Sequence, residues 1–233
     1  MPGKSIDEIV YGKGGFSFNA EVSSVSDNML ERSIPSYTEM RSLCNRIGVM
    51  FASGPKDTVI DVGSSLGRSL ERFAELGREV HSIEPSASMV EEQRRRFSLY
   101  PNVKILHGSA RDVFPDTAAD LVLCVLTLQF MSDADRMNVL KNSKRALSDG
   151  GALIIVEKDE SHEPSIAEEY LRSKCCYGHY SEEQVASKAS ALDGTMVPYS
   201  RERNAEMVEA VFGIRPVEFW RVLNFSASVV VVE

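Results

Sequence analysis

The stretch Val59-Ile60-Asp61-Val62-Gly63-Ser64-Ser65-Leu66-Gly67 sets the reading of all 233 residues. It is a hydrophobic strand with an acid near its end, followed by Gly-x-x-x-Gly opening a predicted helix. Only small residues let the backbone pass close to a ligand at such a turn. A dinucleotide fingerprint carries Gly-x-Gly-x-x-Gly, because pyrophosphate must rest on the helix N-terminus. Here the middle glycine is missing, and Asp61 stands two residues before Gly63. That composition suits a phosphate-free ligand bearing a sulfonium cation and an amino acid, although Gly-x-x-x-Gly also serves plain packing. Glu84, at the end of the next apolar run and a little over twenty residues beyond Asp61, strengthens the case. A carboxylate at that spacing can accept hydrogen bonds from both hydroxyls of an adenosine ribose.

Working outward, short apolar runs alternate with amphipathic stretches, the pattern of parallel strands joined by crossover helices. Strands are expected at Thr58–Val62, Glu79–Ile83, Val103–His107, Leu121–Leu126 and Ala152–Glu157. The unbroken apolar run at Leu121–Leu126 predicts a central strand buried on both faces. Helices are expected at Leu66–Leu76, stopped by Gly77, at Ser86–Leu99 with Ser86 as N-cap, and at Asp133–Leu147, ending at Gly150-Gly151. Residues 160–196 break the rhythm with helical text at Ile166–Lys174 and Ser181–Leu192, predicting a helical insertion or lid. A helix at Ser200–Phe212 and strands at Val217–Leu223 and Ala227–Val232, joined by Asn224–Ser226, complete the pattern as an antiparallel hairpin. Upstream, residues 1–20 read as a loop with Tyr11, Phe16 and Phe18 among glycines. From the N-cap Asp27, apolar residues recur at helical spacing from Met29 to Met50, interrupted by Pro35, which predicts two helical pieces. The fold expected is α/β, Rossmann-like, with a seven-stranded mostly parallel sheet, one antiparallel strand, N-terminal helices within 1–52, and one domain over 1–233.

Composition narrows the partners. A net charge of −8 disfavours generic attraction to nucleic-acid phosphate, and Arg94-Arg95-Arg96, the one candidate basic patch, reads as a solvated helix face. Cys44, Cys124, Cys175 and Cys176 match neither a zinc site nor a disulfide framework, so no metal is expected and the thiols read as free. Adjacent cysteines bridge only with strain, which points to a reducing, cytoplasmic location. Met1–Val10 lacks a signal peptide's apolar core, and the longest apolar stretch, Leu121 to Met131, is too short to span a bilayer.

Several stretches together resemble the carboxy-S-adenosyl-L-methionine synthases, relatives of the class I methyltransferases. They are Arg32-Ser33-Ile34-Pro35-Ser36-Tyr37, Ile60 to Gly67, Leu126-Thr127-Leu128-Gln129-Phe130, Gly150-Gly151-Ala152-Leu153 with Glu157-Lys158, and Leu223-Asn224-Phe225. They run in order across nearly the whole chain. The resemblance implies a class I methyltransferase fold, S-adenosyl-L-methionine or a derivative as ligand, S-adenosyl-L-homocysteine as product, and a homodimer. It implies a cofactor contact at Tyr37, the methionine part of the ligand near Gly63, Ser64 and Ser65, beyond the acid Asp61 already read as cofactor-binding from the turn, and the ribose at Glu84 with Pro85 beside it. It places adenine by Ser109 and Ala110, with Val125 at the end of the central strand.

The chain departs from the family's pattern at three positions. Ser109 stands where the family has an Asp for the adenine amino group, with Asp112 a nearby substitute, and Val125 stands where it has an Asn. Ala189 falls where the family has an Arg that pairs with the added carboxylate, and Lys188, next to it, is expected to point elsewhere on the helix. Stranding a buried anion without its bidentate partner costs on the order of 2–5 kcal/mol, which argues against a carboxylated cofactor here. The reading is therefore a methyltransferase acting on a small-molecule acceptor. His179, between Tyr177 and Tyr180, is the candidate base, and Arg201 and Trp220 are candidate acceptor contacts. The alternatives are a carboxy-S-adenosyl-L-methionine synthase with another cation in place of the Arg, and a non-catalytic dimeric binding module. A nicotinamide-dependent oxidoreductase is disfavoured by the absent middle glycine.

Overall fold

The computed structural model describes residues 28–161 and 163–233. Tyr11, Phe16, Phe18 and the expected cap Asp27 lie outside the described residues. Helical residues 28–33 (α1) are followed by a turn at Pro35-Ser36, where Ser36 takes φ 53°, and then by α2 (Tyr37–Phe51). Proline's fixed ring breaks the helix where the sequence placed the joint.

The chain then builds β1 (Thr58–Val62), α3 (Glu71–Glu75), β2 (Glu79–Glu84), α4 (Ala87–Arg96), β3 (Val103–His107), α5 (Ala110–Val113) and β4 (Ala119–Val125). A 3-10 turn (Leu128–Phe130) leads to α6 (Asp133–Ala146) and β5 (Leu147–Lys158). After these come α7 (Pro164–Cys176), α8 (Glu182–Leu192), α9 (Arg201–Phe212), β6 (Val217–Val222) and β7 (Phe225–Val231). Serines cap α4, α6, α8 and α9 through their side-chain oxygens, and Ser181 with Gln184 forms a full capping box on α8.

The strands form one seven-stranded sheet in the order β3-β2-β1-β4-β5-β7-β6. All pairs are parallel except β5 with β7 and β7 with β6. Strand alternation sends Val59, Leu121, Leu123, Ala152 and Ile154 to a core under α2 and α3. The alternate residues Ile60, Val62, Val122, Leu153 and Ile155 go to a core under α6 and α9. β4 is central and buried on both faces, because helices cover both sides of a parallel sheet.

Two expectations are corrected. The helix after β1 does not begin at Leu66: Ser65 and Gly67 have φ 52° and 78°, so the chain makes tight turns before α3 starts at Glu71. Gly150-Gly151 does not end α6, which stops at Ala146. Both glycines lie inside β5, whose ladder with β4 shifts register between Ala119 and Leu121. The one reversed strand is as expected: β7, last in sequence, inserts antiparallel between β5 and β6.

Candidate functional site

The strand order reverses between β1 and β4, and a crevice at the carboxyl ends of the strands is where open α/β sheets bind ligands. A cavity of about 780 Å³ lies there. Its size is that of a small-molecule or cofactor site. It brings together Tyr37, Asp61, Gly63, Ser64, Ser65, Glu84, Pro85, Ser109, Ala110 and Val125. The residues expected to line a ligand pocket therefore line one cavity, drawn from α2, the ends of β1, β2 and β4, and the start of α5.

The turn after β1 is tight by necessity. Gly63 has φ 69°, and a Cβ on it would lie 2.4 Å from Thr127 Cγ2. A hydrogen-bonded ring holds the rest. Gln93 donates to Ser64 Oγ at 2.9 Å and to the Ser65 carbonyl at 2.5 Å, while Ser82 Oγ donates to Gln93 Oε1 at 2.5 Å. With its single proton committed to Gln93, Ser82 must accept from Ser64 Oγ, 2.5 Å away.

Glu84 is oriented before any ligand arrives. Ser65 N–H donates to its Oε2 and Ser86 N–H to its Oε1, both at 2.8 Å, and no ion pair diverts it among the described residues. Each oxygen retains a lone pair for a further donor. Burial pushes the Glu84 carboxyl up, while the two backbone donors and nearby His107 pull it down. Asp61 is 1% exposed, and its Oδ2 has no hydrogen-bond partner. Burial, and then the charge of Glu84, raise it from 3.8 to about 8. A buried acid with an orphaned oxygen in the lining of a cavity fits the cationic end of a ligand.

Other expected residues lie elsewhere. His179 is exposed at φ 54°, outside the cavity lining, with its carbonyl accepting from Arg32 Nη2 at 2.9 Å. Asp112 is exposed and also outside the lining, so it does not stand in for an adenine-reading acid. Arg201 lines a smaller cavity and pairs with Glu218, and Trp220 packs against the core from β6. Arg95 and Arg96 pair with Glu92 and Glu71, as a solvated helix face requires. Lys188 contradicts its expectation: it lines the cavity with Ala189 and is 8% exposed. Lys158 and Lys174 line the same cavity, and no sequence motif marked them as a group. Helical spacing alone hid them, because the lysines come from three separate elements.

Comparison with known proteins fits this geometry. A methyltransferase domain model matches residues 60–155, the span from β1 through most of β5. An O-methyltransferase family protein from Burkholderia thailandensis superposes with TM-score 0.66 at 15% identity, over 91% of this chain but 59% of its own length. The 1,6-didemethyltoxoflavin-N1-methyltransferase of the same organism, solved with S-adenosylhomocysteine, superposes with TM-score 0.61 at 14% identity, over 91% and 87% of the two chains. The protein is thus an enzyme of the class I methyltransferases, whose cofactor is S-adenosyl-L-methionine. Within that class, the carboxy-S-adenosyl-L-methionine synthase of Pseudomonas putida is 32% identical over 230 residues, covering 92% of each chain. The chain belongs to the carboxy-S-adenosyl-L-methionine synthase family.

Proposed function

We propose that the protein transfers a methyl group from S-adenosyl-L-methionine to a small-molecule acceptor, using the cavity at the β1/β4 switch. The observation that carries this reading is Glu84, locked by two backbone amides at the cavity wall beside the orphaned Asp61. Glu84 would hold the ribose hydroxyls, and Ser109 and Ala110 would flank adenine. Asp61 with the turn at Gly63, Ser64 and Ser65 would take the amino-acid end, with Tyr37, Pro85 and Val125 closing the wall. When bound, the cofactor supplies an electrophilic methyl group. Direct displacement at that methyl needs alignment and exclusion of water more than it needs an acid or base. Helices α7 and α8 supply the closure through Tyr170, Leu171, Lys188, Ala189 and Leu192.

A second reading, a synthase of the carboxylated cofactor, is favoured by one observation: a lysine stands beside Ala189 inside the cavity. Family membership supports a homodimer, which light scattering tests. The free thiols Cys175 and Cys176 support a reducing, cytoplasmic setting. No helix of the described residues is long and apolar enough to cross a membrane.

The test is Glu84→Ala. Losing two hydrogen bonds to a charged acceptor should weaken cofactor binding by roughly 1–3 kcal/mol in calorimetry, with the protein still folded. Unchanged affinity would remove Glu84 from the site and the reading with it.

A further inference from the structure

The turn after β4 and the end of β5 clasp each other behind the ligand cavity. Leu128 N–H donates to Glu157 Oε1 at 2.9 Å, and Lys158 N–H donates in return to Gln129 Oε1 at 2.8 Å. Glu157 is 3% exposed and lies outside the lining of the large cavity. Burial raises its carboxyl from 4.5 to about 8, against the pull of Arg136 and of the Leu128, Gln129 and Thr127 amides. One buried side chain thus gathers successive backbone donors of a single turn.

Arg136, on α6 and 1% exposed, holds the far end of that turn. Its Nε donates to the Met131 carbonyl at 3.1 Å, and its Nη2 donates to the Val197 carbonyl. Val197 N–H donates to the Gln129 carbonyl at 2.8 Å, which ties the segment between α8 and α9 to the same turn. The Tyr199 ring centroid lies 3.7 Å from the Arg136 guanidinium carbon. Arg136 and Glu157 both line the smaller cavity beside α9, and neither lines the large one.

What they hold is wall. Thr127, Gln129, Phe130 and Met131 line the ligand cavity, and so do Met196 and Pro198 on either side of Val197. Leu126, where the turn begins, has φ 58°. A non-glycine residue stays in that left-handed region only when its surroundings over-determine it, and the amides held by Glu157 follow directly. Thr127 in turn packs so closely on Gly63 that no Cβ fits between them, and its Oγ1 donates to the Gly63 carbonyl at 3.4 Å. A line of contacts therefore runs from Glu157 through Thr127 to the turn after β1.

We propose that Glu157 and Arg136 are positioning residues for the cofactor, fixing the 126–131 turn against Gly63 from behind the cavity wall. The inference rests on the cofactor reading above and adds to it two side chains that touch no ligand. Their effect on binding passes entirely through the backbone they hold.

The test measures S-adenosyl-L-homocysteine affinity by calorimetry, with Tm recorded alongside. Glu157→Met keeps the length of the side chain and removes every acceptor, whereas Glu157→Gln keeps a carbonyl oxygen for the Leu128 amide. Glu157→Met should weaken binding by about ten-fold or more, since a small displacement of a site by a distant change is enough to do so. Glu157→Gln should stay within about three-fold of wild type. Val208→Ala, which opens the core under α9 away from the turn, should lower Tm and leave the affinity unchanged. Wild-type affinity in folded Glu157→Met overturns the proposal. Equal losses in the Met and Gln variants also overturn it, because negative charge and not hydrogen bonding would then be acting. Should Glu157→Met not fold, Arg136→Lys decides: it keeps the charge but loses the fork that reaches two carbonyls. It should weaken binding by about three-fold or more and speed hydrogen exchange at the Val197 amide, and wild-type values of both overturn the proposal. If wild-type protein itself fails to bind S-adenosyl-L-homocysteine, the cofactor reading has failed first, and the proposal with it.

Discussion

At the scale of single residues, the cavity sets the buried acids Asp61, Glu84 and Asp159 beside the buried Lys174 and Lys188 and the half-buried Lys158. Asp61, raised to about 8, is protonated over much of the physiological range in the free protein. A cationic ligand favours the carboxylate, so binding must expel that proton. Cofactor affinity should rise as pH goes from 6 to 9, and calorimetry on Asp61→Asn should show a flatter profile. Stability runs the other way. The native state holds the proton to higher pH than the unfolded chain does, so the free protein should lose stability as pH rises from about 4 to 8. Urea midpoints of Asp61→Asn should fall less steeply over that window. The sequence marked Asp61 and Glu84 because each ends an apolar run at a telling interval. It hid Lys158, Lys174 and Lys188, because no local pattern records that three separate elements will converge. Lys188 was expected to face away since Ala189 was taken as the cavity-facing residue, yet both reach the cavity.

Among the elements, the strands were legible to within a few residues, because buried parallel strands write themselves as short apolar runs. The segment after β1 was not. Its composition is helical, but the left-handed residues at 63, 65 and 67 replace the first helical turns. With no helix starting at Gly63, no aligned set of N–H groups awaits a phosphate, in keeping with the missing middle glycine. The closeness of Gly63 to Thr127 gives a sharp expectation. Gly63→Ala should destabilise the protein by about 1–3 kcal/mol, measured by urea unfolding, through both the clash and the left-handed φ. Adding Thr127→Ala should restore the steric part only, leaving a residual penalty from the backbone in a double-mutant cycle.

Across the whole molecule, stability should be graded from sheet to lid. β1 and β4 are sealed between two cores, whereas α7 and α8 bury few side chains each: Tyr170 and Lys174 on one, Val185, Lys188 and Ala191 on the other. Hydrogen exchange should be slowest in β1 and β4 and markedly faster in α7 and α8, with added S-adenosyl-L-homocysteine slowing the helices. Uniform protection would mean the helices are as fixed as the sheet and do not act as a lid. Arg32 is the strap to watch, since it donates to the Gly178 and His179 carbonyls from α1.

The place of β7 imposes an order on biosynthesis. Residues 225–231 must leave the ribosome before β6 has any ladder partner, and until then β5 presents a bare flank where β7 will dock. A nascent chain therefore cannot finish its sheet piece by piece, and the half-built molecule carries an edge ready to pair with a neighbour's strand. The demand on chaperones should be greatest in the interval between synthesis of β5 and synthesis of β7.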